Sequence, residues 1–413
     1  MSTAATDEVV YLDHNATTPV APEVLEAMLP YLCTAYGNPS SDHPLGRHAR
    51  AAVEEAREQV AALLGAAPDE IVFTSGGTES NNLAIFGTTA TAGTERHRIV
   101  TSSVEHPATA SPCARLEASG WAVTRVAVTG AGLLDTPAAT AALSGDVALC
   151  TVLLAQNETG ALLALAELAL AARDAGAIVH TDAAQAVGKV PVSVEDLGVD
   201  LLSIAGHKVY APKGVGALYV RRGTPLVPVL AGAGQECGLR PGTENVAGIV
   251  GLGAACELAR ARLALDPARL GALRNELFAA LCAAVPGLVC HTPLDASLPN
   301  TLFVSFPGVQ GTDLLARAPG VAASTGSACH AGEQAPSATL LAMGVAPEVA
   351  LSAVRLSLGR DTTGAAVALA ADRLVAAWRQ AREEHEEHEE HEEHEEHEEH
   401  TVLNPSQRKR ASR

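Results

Sequence analysis

The sequence predicts an α/β protein: a mostly parallel sheet in a large domain, followed by a smaller α+β C-terminal domain. Two observations support this. Short apolar runs alternate with helical patterns through most of the first 260 residues, and the order of elements changes from Pro267 onward. Strands are expected at 71–74, 99–102, 123–128, 147–154, 177–180, 201–204 and 217–220. Helices are expected between them, at 49–64, 78–86 and 165–175. Such sheets are covered on both faces and bind ligands at the carboxyl ends of their strands. A long helix over 243–263 leaves this layer. A helix (268–284), two strands (288–291 and 301–306), a helix and a Ser/Gly-rich loop follow. A strand (353–358) and a closing helix (362–382) complete the body. The expected division is an N-terminal segment, 1–20, packing with the small domain; a large domain, 21–262; a small domain, 263–382; and a tail, 383–413.

Composition narrows the function classes. The 413 residues are 47% apolar, enough for a packed core. The net charge of −19 argues against nucleic acid as a partner, because phosphate binding needs basic surface. Twelve glutamates and four basic residues beyond residue 382 account for eight of those charges, which leaves −11 for the body. The first ten residues show no signal-peptide pattern, and no apolar run is long enough to span a membrane. Eight scattered cysteines with no Cys-x-x-Cys pair fit a reducing, cytoplasmic compartment better than a disulfide framework.

The chemistry starts at Lys208, one of only four lysines, in Gly206-His207-Lys208 just after an expected strand. Another expected strand ends in Thr181-Asp182-Ala183-Ala184-Gln185. A lysine near an acid at a strand end suits pyridoxal phosphate: the amine forms a Schiff base and the acid pairs with the pyridinium nitrogen. Taken alone, Asp182 also reads as a helix cap. Phe73-Thr74-Ser75-Gly76-Gly77-Thr78 runs from strand to helix and offers either a phosphate cradle or an ordinary capped turn. His106 follows a strand and suits stacking over a ring, although a lone histidine is more often structural. Asn157, in Gln156-Asn157-Glu158-Thr159-Gly160, suits a hydrogen bond to cofactor or substrate, or simply a turn. Cys329 lies in a loop of small residues beside His330, a setting that favours a nucleophilic thiolate over an inert core thiol. Arg355 sits inside an apolar strand, where either a substrate carboxylate or a structural salt bridge would answer it.

Taken in order, these motifs resemble the cysteine desulfurase and selenocysteine lyase family, pyridoxal-phosphate enzymes of the class V aminotransferase fold (fold type I). The resemblance covers residues 10–382. It rests on Tyr11-Leu12-Asp13-His14-Asn15-Ala16-Thr17-Thr18-Pro19, Gly37-Asn38-Pro39-Ser40-Ser41, the 76–82 turn, 180–185, 206–208, Arg240-Pro241-Gly242-Thr243-Glu244-Asn245 and the Cys329 loop. It implies that Lys208 holds the cofactor and later moves the substrate Cα proton. It implies that Asp182 pairs with the ring nitrogen and that Gln185 and His106 contact the ring. Gly77, Thr78, His207 and, from a partner subunit, Thr243 would hold the phosphate, which makes a homodimer the expected form. Asn38, Asn157 and Arg355 would bind substrate. Cys329 would take the substrate sulfur as a persulfide and leave alanine.

The implied function is conversion of L-cysteine to L-alanine, with sulfur passed to an acceptor such as an iron–sulfur scaffold protein or a thiolation pathway. Release of selenium from L-selenocysteine is the alternative. Two departures bear on it: Ala205 stands where desulfurases commonly have a phosphate-binding serine, and Cys237 stands where the family usually has arginine.

No metal site is expected in the body. The tail repeats Glu-Glu-His six times, placing His385, His388, His391, His394, His397 and His400 on a slowly drifting helical stripe. That pattern fits a weak Zn, Ni or Cu site. The favoured reading is a solvated acidic extension, helical near its start and disordered later. A metal-binding scaffold is the third, non-enzymatic alternative.

Overall fold

The computed structural model describes residues 9–326 and 335–402, with side chains to residue 384. Cys329 and the six tail histidines therefore lie outside the described residues or side chains.

The elements run β1 (Val10–Tyr11), α1 (Pro22–Cys33), α2 (Pro44–Leu64), β2 (Ile71–Thr74), α3 (Gly77–Thr89), β3 (Arg98–Ser102), α4 (Pro107–Ala118), β4 (Ala122–Val126), α5 (Thr136–Ala141), β5 (Val147–Thr151), α6 (Leu165–Asp174), β6 (Ile178–Asp182), α7 (Val194–Leu197), β7 (Leu201–Ala205) and β8 (Gly216–Val220). After these come α8 (Val246–Arg262), α9 (Asp266–Ala284), β9 (Val289–Cys290), β10 (Thr301–Ser305), α10 (Gly311–Arg317), β11 (Val321–Ala322), α11 (Ala338–Ala342), α12 (Pro347–Leu351), β12 (Ala353–Ser357) and α13 (Gly364–Val402).

Seven strands form one sheet in the order β2-β8-β7-β6-β5-β3-β4. β3 to β7 are mutually parallel, whereas β8 runs antiparallel to both neighbours. The reversal follows from chain length. Only residues 206–215 join β7 to β8, too few for the helical crossover that a parallel neighbour requires. Because β8 is flanked by two antiparallel partners, β2 points the same way as β7. The carboxyl ends of β2, β3, β5, β6 and β7 therefore share one rim.

Apart from the edge strand β4, which is only partly buried, the strands are buried because their aliphatic runs face helices on both sides. α2 shows the complementary pattern: Ala49, Ala52, Val53, Ala56, Val60, Ala61 and Leu64 are buried at helical spacing, and Gly65 ends the helix in the left-handed conformation. A second apolar cluster joins α9, β10, β12 and α13, and Val10 and Leu12 of the N-terminal segment are buried within it. There, β1 pairs in parallel with β11, and Asp13 bridges Ser357 of β12. β10 lies between β12 and β9, antiparallel to both.

Three boundaries differ from expectation for physical reasons. α8 begins at Val246 rather than 243 because Asn245 caps it, accepting a hydrogen bond from the Gly248 N–H. β5 ends at Thr151, although Val152 and Leu154 still donate to the carbonyls of His180 and Asp182. The closing helix continues to Val402 instead of stopping near 382. Glutamate is a good helix former, and the repeat contains neither glycine nor proline.

Candidate active site

A cavity of about 400 Å³ opens at the shared strand-end rim. Nine of the residues singled out in the sequence line it: Gly77, Thr78, His106, Asn157, Asp182, Gln185, His207, Lys208 and Arg355. Asn38 and Thr243 do not. Asn38 is exposed and accepts a hydrogen bond from the Ser40 N–H at 2.9 Å, as an Asx turn does. Thr243 is exposed on the loop before α8.

Asp182 ends β6 and is buried. It takes hydrogen bonds from two neutral donors, the Asn81 amide at 2.6 Å and the Ala184 N–H at 2.9 Å. Among the described residues no salt bridge reaches it, and it lines the cavity together with Lys208. Lys208 lies in a single 3₁₀ turn after β7. Its Nζ donates to the carbonyl oxygens of Asn15 (2.5 Å) and Ala16 (2.7 Å). Burial, and then the Arg355 guanidinium, push its pKa down to about 8. About a tenth of the amine is then unprotonated at pH 7, far more than for an ordinary lysine, as a nucleophile requires.

His106 caps α4, with Nδ1 accepting the Ala108 N–H at 3.1 Å. That bond assigns the ring proton to Nε2, and burial lowers the pKa, so the ring is neutral and suited to stacking. Burial also takes His207 down to about 4, while its Nδ1 pairs with Thr17 Oγ1 at 3.2 Å. Gly77 and Thr78 open α3, whose first-turn N–H groups have no intrahelical partner. Gly76 (φ 149°) makes the turn, and a Cβ on Gly77 would come within 3.2 Å of the Ala205 Cβ. The cradle therefore suits an anion approaching backbone.

Arg355 rises from β12 and is buried. One terminal nitrogen donates to the Asn157 carbonyl and the other to Asp13 Oδ1, both at 2.9 Å. The salt bridge weighed in the sequence is thus present, while the guanidinium still lines the cavity and its buried Nε has no partner among the described residues.

Sequence reasoning missed several contributors. Asn15 and Ala16 hold Lys208 through backbone carbonyls, which residue identity does not reveal. Asn81 steadies Asp182 from inside α3. Lys189 bonds Gln185 Oε1 at 2.7 Å. Glu105 lies behind His106, where burial pushes its pKa up to about 8, and Ser102 and the Leu153 N–H both donate to its Oε1. The proximity of Glu105 to His106 in sequence was the only available signal. Cys237 lies away from this cavity, exposed at φ 56° beside Glu236, which Arg57 grips with two 2.9 Å bonds.

The sequence profile of the aminotransferase class-V family matches residues 10–369. A cysteine desulfurase of Trichormus azollae is 46% identical over 361 residues, 87% of this chain and 90% of that protein. A solved NifS-like protein superimposes with a TM-score of 0.84 at 36% identity, covering 89% of this chain and 98% of that one. The structure of SspA in complex with cysteine matches with a TM-score of 0.76 at 37% identity, over 84% and 98%.

Proposed function

This chain belongs to the class-V aminotransferase family, and from that premise we propose that it is a pyridoxal-phosphate-dependent cysteine desulfurase, converting L-cysteine to L-alanine and an enzyme-bound persulfide. One observation supports the reading above all: the Lys208 amine and the Asp182 carboxylate face one cavity whose wall is the N-terminus of α3. The residues fit the cofactor. Asp182 suits a cationic ring nitrogen, the α3 turn with His207 suits a phosphate, and neutral His106 suits the ring face. Thr243, exposed on its loop, fits the phosphate of a second subunit's site, which makes the active form a homodimer.

When bound, pyridoxal phosphate supplies an aldehyde carbon and a ring that accepts electrons from the substrate Cα. Lys208 would hold the cofactor through its Nζ and, once released as a free amine by the incoming substrate, would carry the substrate Cα proton. Arg355, held by the Asn157 carbonyl, binds the substrate carboxylate, and Asn38 is assigned to substrate by the resemblance alone. The thiolate of Cys329, outside the described residues, attacks the substrate sulfur. An S–S bond forms and the C–S bond breaks, with its electron pair passing to the substrate carbon. Protonation of that carbon, and return of the Cα proton by Lys208, yield alanine. An acceptor protein, such as an iron–sulfur scaffold, then takes the persulfide sulfur. The compartment we assign is the cytoplasm, which keeps thiols reduced; the seven described cysteines are all free. Among the described residues no helix is long and apolar enough to cross a membrane.

The test is alanine release from L-cysteine and from L-selenocysteine, measured side by side with persulfide formation. Turnover of cysteine and a persulfide that disappears in Cys329→Ala are expected. Turnover of selenocysteine alone would replace this reading with a lyase.

A further inference from the structure

Lys189 is a lysine that the proposed chemistry does not use. It follows β6 by seven residues, is largely buried, and among the described residues forms no salt bridge. Burial, with Lys208 and Arg355 nearby, pushes its pKa well below the ordinary lysine range. A buried amine without a carboxylate is costly to keep. Here its Nζ donates to Gln185 Oε1 at 2.7 Å and to Asn15 Oδ1 at 3.2 Å.

The two ends of an amide have nearly the same shape, so its orientation is set by its partners. Lys189 Nζ donates to both amide oxygens, so each amide turns its oxygen toward Lys189. The nitrogens then have fixed duties. Gln185 Nε2 donates to the Asn15 carbonyl at 2.9 Å and keeps a second N–H. Asn15 Nδ2 donates to Thr301 Oγ1 at 2.9 Å. The Asn15 carbonyl is also the one that holds Lys208. Lys189 at both oxygens, the Asn15 carbonyl at Gln185 Nε2 and the Asn300 amide at Asn15 Oδ1 together set the polarity of two amides in the cavity wall.

We propose that Lys189 is a positioning residue that holds the carbonyl ends of Gln185 and Asn15, so that Gln185 offers the cavity an N–H donor for the anionic ring oxygen of pyridoxal phosphate. This rests on the cofactor reading above.

The test loads the full-length protein with pyridoxal phosphate and follows the pH midpoint of its visible absorbance. The titratable and charged groups facing the cofactor are Asp182 on β6, His106 at the α4 cap, His207 and Lys208 after β7, Arg355 on β12 and Asp13 on the N-terminal segment. All are unchanged in every variant. In Lys189→Met the Gln185 amide loses the donor at its oxygen and is held only by the Asn15 carbonyl at Nε2, so its N–H is fixed less firmly toward the ring oxygen. The midpoint should rise by about one pH unit, a tenfold change in proton affinity. Gln185→Leu should raise it similarly, the double variant should add nothing, and Lys189→Arg should keep the wild-type midpoint. An unmoved midpoint in Lys189→Met, or additive shifts in the double variant, overturns the proposal. If Lys189→Met does not fold, Gln185→Glu takes its place. It satisfies Lys189 through an ion pair but has no N–H for the cavity, so its midpoint must rise, and an unmoved one is equally decisive. A wild-type protein with no pH-dependent visible band sinks the cofactor reading itself, and this inference with it.

Discussion

The strand-end rim and the N-terminal segment 13–18 contribute to the same cavity in different currencies of interaction. The rim supplies side chains with diagnostic chemistry: Asp182 from β6, Lys208 after β7, His106 after β3 and the glycine turn after β2. The segment supplies mostly backbone. Its Asn15 and Ala16 carbonyls hold Lys208, the Thr18 N–H donates to the His207 carbonyl, and Tyr210 N–H reaches Thr18 Oγ1. The contrast teaches that the reacting groups sit on the sheet while a separate strap fixes their geometry.

The sharpest way to break this comparison is to remove a rim side chain. Lys208→Ala should abolish the visible cofactor absorbance and lower alanine release by ~10³-fold or more. Asp182→Ala should come next. Loss of one partner from a buried charge pair should weaken cofactor binding on the order of 10²-fold, read by titrating apoprotein with pyridoxal phosphate. A smaller effect is expected from pH alone. Lys208 reacts as the free amine, so the rate at which apoprotein takes up pyridoxal phosphate should rise about tenfold per pH unit below its pKa, and level off above about 8. Stopped-flow absorbance across that range checks the sign; a rate that falls with rising pH would contradict the assignment.

The strap should respond more mildly. Asn15→Ala keeps the backbone carbonyl under Lys208 but loses the side-chain bonds to Thr301, Asn300 and Lys189. Expected is a drop of ~2 kcal/mol in stability with chemistry reduced only a few-fold, measured by denaturant unfolding alongside turnover. A loss as large as that of Lys208→Ala would erase the distinction between rim and strap.

That distinction also explains what could be read in the sequence. Asp182, Lys208, His106 and Arg355 were legible because a charge or imidazole beside an apolar run is unusual. The parallel sheet was legible from its alternation of strands and helices, whereas the reversed β8 depended on the length of one connection. Asn15 was quoted only as part of a matching stretch, because its role runs through a carbonyl that every residue has. Lys189 carries no signal in the sequence; only folding brings its amine onto two amides 4 and 174 positions away. Asn38 and Thr243 were named by resemblance, and in a single chain both remain at the surface, outside the cavity.

The pairing of β1 with β11, and of Asp13 with Ser357, has a consequence for biosynthesis. On the ribosome the first strand must wait for partners more than 300 positions downstream, on the order of tens of seconds at ordinary elongation rates. During that interval the nascent sheet can form while its reactive lysine lacks the carbonyls that restrain it. Vitamin loading that depends on the docked segment therefore follows synthesis of β12.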